Sequence, residues 1–317
     1  MAEPDLRAYR SSQVDPEDFD AFWADTLAQS RTFDLAVKHE AVHTGLVTVD
    51  VYDVTFAGYG GQPIRAWLRV PAGSDRPLAT VVHYVGYGGG RGEATENLFW
   101  ASAGYAHLQM DTRGQGSAWS VGVTPDPHGS GPQIPGFMTR GIENRETYYY
   151  RRLITDAVRA VEAARALDLV DPDRVAVLGG SQGGGLALAV AGLVPDVAAA
   201  VAFVPFLCDY PRATTITDND PYKEIARYLA VHRDRVDQVH RTLAYFDGVN
   251  FAKRAKAPAW FSVALMDPTC PPSTVFAAYA NYAGDKDITV WPYNGHEGGE
   301  NQDNVIALRA LASVLAD

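Results

Sequence analysis

The spacing of apolar residues divides the chain into a short opening and a long alternating body. Phe19, Phe22, Trp23 and Leu27 recur at three- and four-residue intervals and predict a helix over about 15–30 whose apolar face docks on the rest of the molecule. Asp15-Pro16-Glu17-Asp18 predicts its start: a capping acid, a proline at the first helical position and acids in the first turn. The period then drops to two. Val47, Val49 and Val51 share one side of a strand, and Ile64, Ala66, Leu68 and Val70 share one side of the next. Ala57-Gly58-Tyr59-Gly60-Gly61-Gln62 between them predicts a turn, so the pair reads as an antiparallel hairpin.

From residue 78 continuous apolar runs replace the alternation. Runs at 78–85, 105–110, 175–178, 197–204, 259–266 and 288–291 predict strands buried on both faces. Helical patterns at 146–167, 183–193, 273–282 and 304–315 separate most of them. This order predicts an α/β protein: a mostly parallel central sheet with helices on both faces and the hairpin as an antiparallel N-terminal edge. Two stretches exceed a minimal version of it. Residues 113–145 are rich in Gly and Pro, and 209–256 carry extra helical material around 222–229 and 236–246. Insertions of this size usually form lids or contact surfaces. With no repeat, low-complexity tract or linker, the 317 residues read as one domain.

Composition narrows the classes. A 47% hydrophobic content suits a large core and excludes disorder, and 27 basic against 38 acidic residues give a net charge of −11. That charge argues against nucleic-acid or anionic-membrane binding. No run approaches ~18 apolar residues, so no membrane span is expected. The first twenty residues lack a basic head followed by an apolar core, which predicts a cytoplasmic protein. Cys208 and Cys270 each follow an apolar run and are expected as buried free thiols.

The chemistry concentrates in Arg174-Val175-Ala176-Val177-Leu178-Gly179-Gly180-Ser181-Gln182-Gly183. This is Gly-x-Ser-x-Gly directly after a strand and before a helix. A serine forced into so tight a turn needs small neighbours, and the turn lifts its hydroxyl above the sheet. A nucleotide-binding turn is the bland alternative, but neither Gly-x-Gly-x-x-Gly nor a Walker lysine is present. Ser181 is therefore the candidate nucleophile. Its base and acid should follow in the order acid, then histidine, each just past a strand end. Asp267 ends the run at 259–266 and is the candidate acid; Asp285 and Asp287, in a polar turn, are its competitors. His296 lies in the loop after the last strand and is the candidate base, whereas His83 and His107 sit inside core strands. Backbone N–H groups of Gln182 and Tyr87 are the expected oxyanion donors, with Gly86 or Gly88 as alternatives to Tyr87 in the loop His83-Tyr84-Val85-Gly86-Tyr87-Gly88-Gly89-Gly90.

His39-Glu40-Ala41-Val42-His43 matches the zinc-protease pattern His-Glu-x-x-His, which requires both histidines on one helical face. Gly45 and a valine-alternating strand follow at once, so no long helix and no metal site is expected.

Taken together, these residues resemble the acetyl xylan esterase and cephalosporin C deacetylase family, carbohydrate esterase family seven. The resemblance spans nearly the whole chain and rests on Asp111-Thr112-Arg113-Gly114-Gln115-Gly116, Gly179-Gly180-Ser181-Gln182-Gly183, Asp267 with Cys270-Pro271-Pro272-Ser273, and His296-Glu297. It implies an intracellular α/β-hydrolase that removes acetyl groups from small esters such as acetylated xylo-oligosaccharides and cephalosporin C, without a cofactor. It also implies Ser181, Asp267 and His296 as catalytic residues, Tyr87 and Gln182 as oxyanion donors, and Arg113 and Gln115 as supports of the active-site loops. Ring-like homohexamers are a further implication. The rival functions are a broad short-chain carboxylesterase or a peptidase on the same fold, or a binding protein that has lost its chemistry.

Overall fold

The apolar runs assemble into one nine-stranded sheet. A computed structural model describes residues 1–127 and 136–316. The strands are β1 (Lys38–Val42), β2 (Val49–Ala57), β3 (Pro63–Pro71), β4 (Leu78–Tyr84), β5 (Ala106–Met110), β6 (Val170–Gly180), β7 (Ala199–Phe203), β8 (Ala259–Ala264) and β9 (Lys286–Trp291). Their spatial order is β1-β2-β3-β5-β4-β6-β7-β8-β9. Neighbours pair antiparallel from β1 to β2, β2 to β3 and β3 to β5, while β5, β4, β6, β7, β8 and β9 run parallel. The helices are α1 (Glu3–Ala8), α2 (Phe19–Arg31), α3 (Phe99–Ser102), α4 (Tyr149–Arg165), α5 (Gln182–Leu193), α6 (Tyr210–Ile216), α7 (Tyr222–Val231), α8 (Val236–Leu243), α9 (Gly248–Ala252), α10 (Pro272–Asn281) and α11 (Asn301–Val314).

Burial on both faces explains the unbroken apolar runs. Val82 and Val177 belong to the core under α4 and α5, while their neighbours Val81 and Ala176 belong to the core formed with Trp100 of α3 and Ala307 and Leu311 of α11. Strand alternation makes each run serve both cores. The chain leaves β4 for β5 on one side, and β6 returns on the other. The loops after β4 and β6 therefore diverge and open a crevice beyond the carboxyl ends of the strands. This is the α/β-hydrolase fold.

Several local expectations shift. The opening helix begins at Phe19, and Asp15 does not cap it. Asp15 instead pairs with Arg254 at 2.7 Å and with Lys253, a tertiary contact that competes with capping. Phe19, Phe22 and Trp23 dock as expected, against Tyr245, Phe246 and Phe251. β1 is a strand that sequence pattern did not predict, because its side chains lie on an exposed edge and carry no apolar signal. It contains His39 and Glu40, so the His-Glu-x-x-His match lies on extended chain. Val47 is exposed and precedes β2, where Val49 and Val51 are buried on one face and Val54 on the other. Both cysteines are buried and free. Residues 209–256 hold α6 to α9. Of the stretch 113–145, residues 128–135 lie outside the described residues.

Candidate active site

The turn from β6 to α5 is a single residue. Ser181 has φ 54° and ψ −120°, a left-handed backbone that a side chain disfavours. It is held there from three directions: Ser181 N–H donates to the Phe203 carbonyl at 2.9 Å, and the Ser181 carbonyl accepts from Gly185 at 3.0 Å and Phe206 at 2.9 Å. The flanking glycines are steric requirements. A Cβ on Gly179 would lie 2.2 Å from the Gly183 carbonyl carbon, and one on Gly183 would lie 2.0 Å from the Tyr84 carbonyl oxygen.

Two other strand ends supply partners. Asp267, in the loop after β8, is 4% exposed. Its Oδ1 accepts from the backbone N–H of Thr269 at 2.8 Å and of Cys270 at 2.9 Å, which fixes the carboxylate plane. Its Oδ2 lies 2.8 Å from His296 Nδ1. On the other side of the ring, His296 Nε2 lies 2.9 Å from Ser181 Oγ. A carboxylate can only accept, so Nδ1 carries the proton and Nε2 is free to accept from the serine hydroxyl. The Met266 N–H, donating to the Asn294 carbonyl at 3.1 Å, ties the acid-bearing and base-bearing loops together. Asp287, one of the competitors, accepts from its neighbour Ile288 at 2.8 Å and from no other group among the described residues.

The oxyanion candidates are backbone N–H groups on the loops after β4 and β6. Neither the Tyr87 nor the Gln182 backbone N–H has a hydrogen-bond partner among the described residues. Their loops are joined by side chains. Gln115 Oε1 accepts from Gly88 N–H at 2.7 Å, and Gln115 Nε2 donates to Gln182 Oε1 at 3.0 Å. Gln182 Nε2 donates to the Val85 carbonyl at 3.1 Å, and Tyr150 donates to Gln182 Oε1 at 2.9 Å. Gln115 thus contacts both loops. Arg113 acts one step further away: its carbonyl accepts from the Tyr149 hydroxyl at 2.6 Å, and that hydroxyl accepts from Gln115. Its guanidinium bridges the buried carboxylates of Asp156 and Asp126.

Other functional contacts carried no local signal. The Tyr87 hydroxyl donates to Glu224 at 2.7 Å and accepts from Phe137 N–H at 2.6 Å, anchoring the loop to α7. Burial holds the Glu224 carboxyl above the usual carboxylate range. Trp119 donates to the Tyr87 carbonyl at 2.8 Å and covers Gly86 and Gly89. Gly86, Trp119, Ser181 and His296 are shared by two lobes of the cleft: one of about 390 Å³ toward Pro221 and Thr269, one of about 810 Å³ toward His83 and α11.

Asp267, Cys270 and His296 place three donor atoms within 4.8 Å of one another. The site does not suit a metal. The carboxylate and imidazole are bonded to each other, and burial pushes the Cys270 thiol well above its ordinary value, so it stays protonated. No helix of the described residues is long and apolar enough to cross a membrane.

Comparison with known proteins places these features. The family model described as acetyl xylan esterase (AXE1) matches residues 1–312. The acetyl xylan esterase of Paenibacillus sp. R4 superposes with a TM-score of 0.92 at 40% identity, covering 99% of this chain and 100% of that one. Acetyl xylan esterase 1 of Thermoanaerobacterium sp. JW/SL YS485 gives 0.90 at 33% identity, covering 100% of this chain and 99% of that one. The acetyl esterase Axe7A of Xylanibacter ruminicola is 28% identical over 89% of this chain, which spans 63% of that protein's length.

Proposed function

The chain belongs to the acetyl xylan esterase (AXE1) family, and from that premise we propose that it hydrolyses acetyl esters through an acetyl-enzyme on Ser181. The observation that carries the reading is the unbroken hydroxyl–imidazole–carboxylate chain, with contacts of 2.9 and 2.8 Å. Ser181 Oγ attacks the ester carbonyl as His296 Nε2 takes its proton, and Asp267 stabilises the imidazolium that forms. The carbonyl oxygen gains negative charge and accepts from the N–H groups of Tyr87 and Gln182, each worth about 3 kcal/mol of transition-state stabilisation. His296 then returns the proton to the departing alcohol. Water repeats the sequence on the acetyl-enzyme and releases acetate.

The substrates we infer are small acetylated molecules, acetylated xylo-oligosaccharides and cephalosporin C among them. The whole chain acts as one hydrolase unit, and Arg113 and Gln115 support the loops that carry the oxyanion donors. A homohexamer is the assembly that accompanies this reading, and sedimentation of the purified chain tests it. Ser181→Ala abolishes p-nitrophenyl acetate turnover while circular dichroism stays unchanged; turnover retained in that variant overturns the proposal. Comparing acetyl with butyryl esters separates an acetylesterase from a broad carboxylesterase.

A further inference from the structure

The larger lobe of the cleft has a polar floor that the chemistry above does not use. Strand alternation places Arg69, His107, Gln109 and His83 on the sheet face covered by α3 and α11, since Leu68, Leu108 and Val82 point into the opposite core. Such a row inside a core needs partners, and most of it has them. Arg69 Nη1 donates to Gln109 Oε1 at 2.9 Å, and its other nitrogens reach the carbonyls of Ala94 and Glu93 at 3.1 and 3.0 Å. Asn97 Nδ2 donates to the same Gln109 oxygen at 3.1 Å. Two donors on one oxygen fix the orientation of the Gln109 amide, so its NH₂ must point elsewhere.

His83 Nδ1 meets His107 Nε2 at 3.1 Å. Burial and the Arg69 charge hold both imidazoles below their ordinary range, His83 down to about 4, so both rings are neutral at pH 7 and share one proton in this bond. The bond locks the His83 ring and leaves Nε2 outside it. Neither His83 Nε2 nor Gln109 Nε2 has a hydrogen-bond partner among the described residues, and neither is sealed from the cavity, unlike His107 Nδ1. Both residues line the same 810 Å³ lobe as Ser181.

We propose that His83 and Gln109 form the alcohol-side recognition pair of this enzyme, hydrogen-bonding a hydroxyl of the leaving alcohol through His83 Nε2 and the Gln109 amide. The inference rests on the esterase reading and deepens it. A hydroxyl both donates and accepts, so it satisfies an imidazole nitrogen in either tautomer together with an amide N–H. An apolar alcohol satisfies neither and leaves two desolvated polar groups unpaired. The lobe therefore favours esters of polyhydroxylated alcohols over apolar ones of equal size.

The test uses the full chain and two ring-sized acetyl esters, a pyranose monoacetate and cyclohexyl acetate. The wild type favours the pyranose ester in kcat/KM, and His83→Leu lowers that preference about tenfold, mostly through KM. The double variant His83→Leu/His107→Leu, which strands no nitrogen, does the same if the single one folds poorly. His83→Gln keeps a polar end in the lobe and restores most of the preference. A wild type that favours cyclohexyl acetate, or a His83→Leu preference equal to that of the wild type, overturns the proposal while the esterase reading stands. Hydrolysis of p-nitrophenyl acetate but of neither ring ester overturns the proposal alone, and failure on all three removes the esterase reading itself.

Discussion

Asp267 shows how much one side chain is asked to do. Two backbone N–H groups hold one oxygen, so the other is aimed at His296 before any substrate arrives. Asp267→Asn presents an NH₂ where Nδ1–H must donate, turns the imidazole to the wrong tautomer, and lowers kcat by about 10³- to 10⁴-fold in an ester assay. Gln115 acts differently because it touches no reacting atom. Gln115→Leu unties Gly88 from Gln182 and lowers kcat about tenfold with KM little changed, measured on p-nitrophenyl acetate. The buried histidine pair sets a pH dependence of stability. In the unfolded chain both imidazoles take protons near pH 6.5, whereas the folded His83 does so only near 4. The unfolded state therefore binds more protons across that window, and stability falls as pH drops from about 6.5 to 4, by up to about 3 kcal/mol for His83. Urea midpoints at pH 7 and pH 4.5 measure the loss, which shrinks in His83→Gln/His107→Leu. Ser181 was legible because its requirements are local; Tyr87 bonding Glu224 across 137 positions was not, since nothing near either residue marks the other.

At the scale of elements, the turn between β6 and α5 constrains sequence most tightly. Gly183 has no room for a methyl group against the Tyr84 carbonyl, so Gly183→Ala forces β4 and α5 apart. It yields an unstable or poorly expressed protein, whereas Gly45→Ala, with open space around it but a left-handed backbone, costs about 1 kcal/mol by thermal melting. Elements buried on two faces announced themselves through unbroken apolar runs. β1 and α1 did not, because each shows most of its surface to solvent. The start of α2 was misread for a related reason: an acid before a helix serves equally well as a cap or as half of an ion pair, and Arg254 lies 239 residues away in sequence.

For the whole molecule, the order of strands rather than any single motif creates the cleft. Ser181, Asp267 and His296 leave β6, β8 and β9, which lie on the same side of β4, while Tyr87 follows β4 itself. Parallel strands bring these ends to one edge, which is why a serine motif and two strand ends, taken in chain order, pointed to residues that meet. Helix α2 is bound into this body by Trp23, 1% exposed, whose indole donates to the Tyr245 carbonyl at 2.9 Å. Trp23→Ala removes a large side chain from a packed aromatic cluster and destabilises by about 3–5 kcal/mol, read from chemical denaturation. The central claim is a covalent one, and rapid acid quenching of p-nitrophenyl acetate turnover followed by peptide mass analysis tests it most directly. An acetyl group, adding about 42 Da, is predicted on the peptide containing Ser181 in the wild type and on no peptide in Ser181→Ala; acetyl accumulating on another residue while that variant still turns over would contradict it.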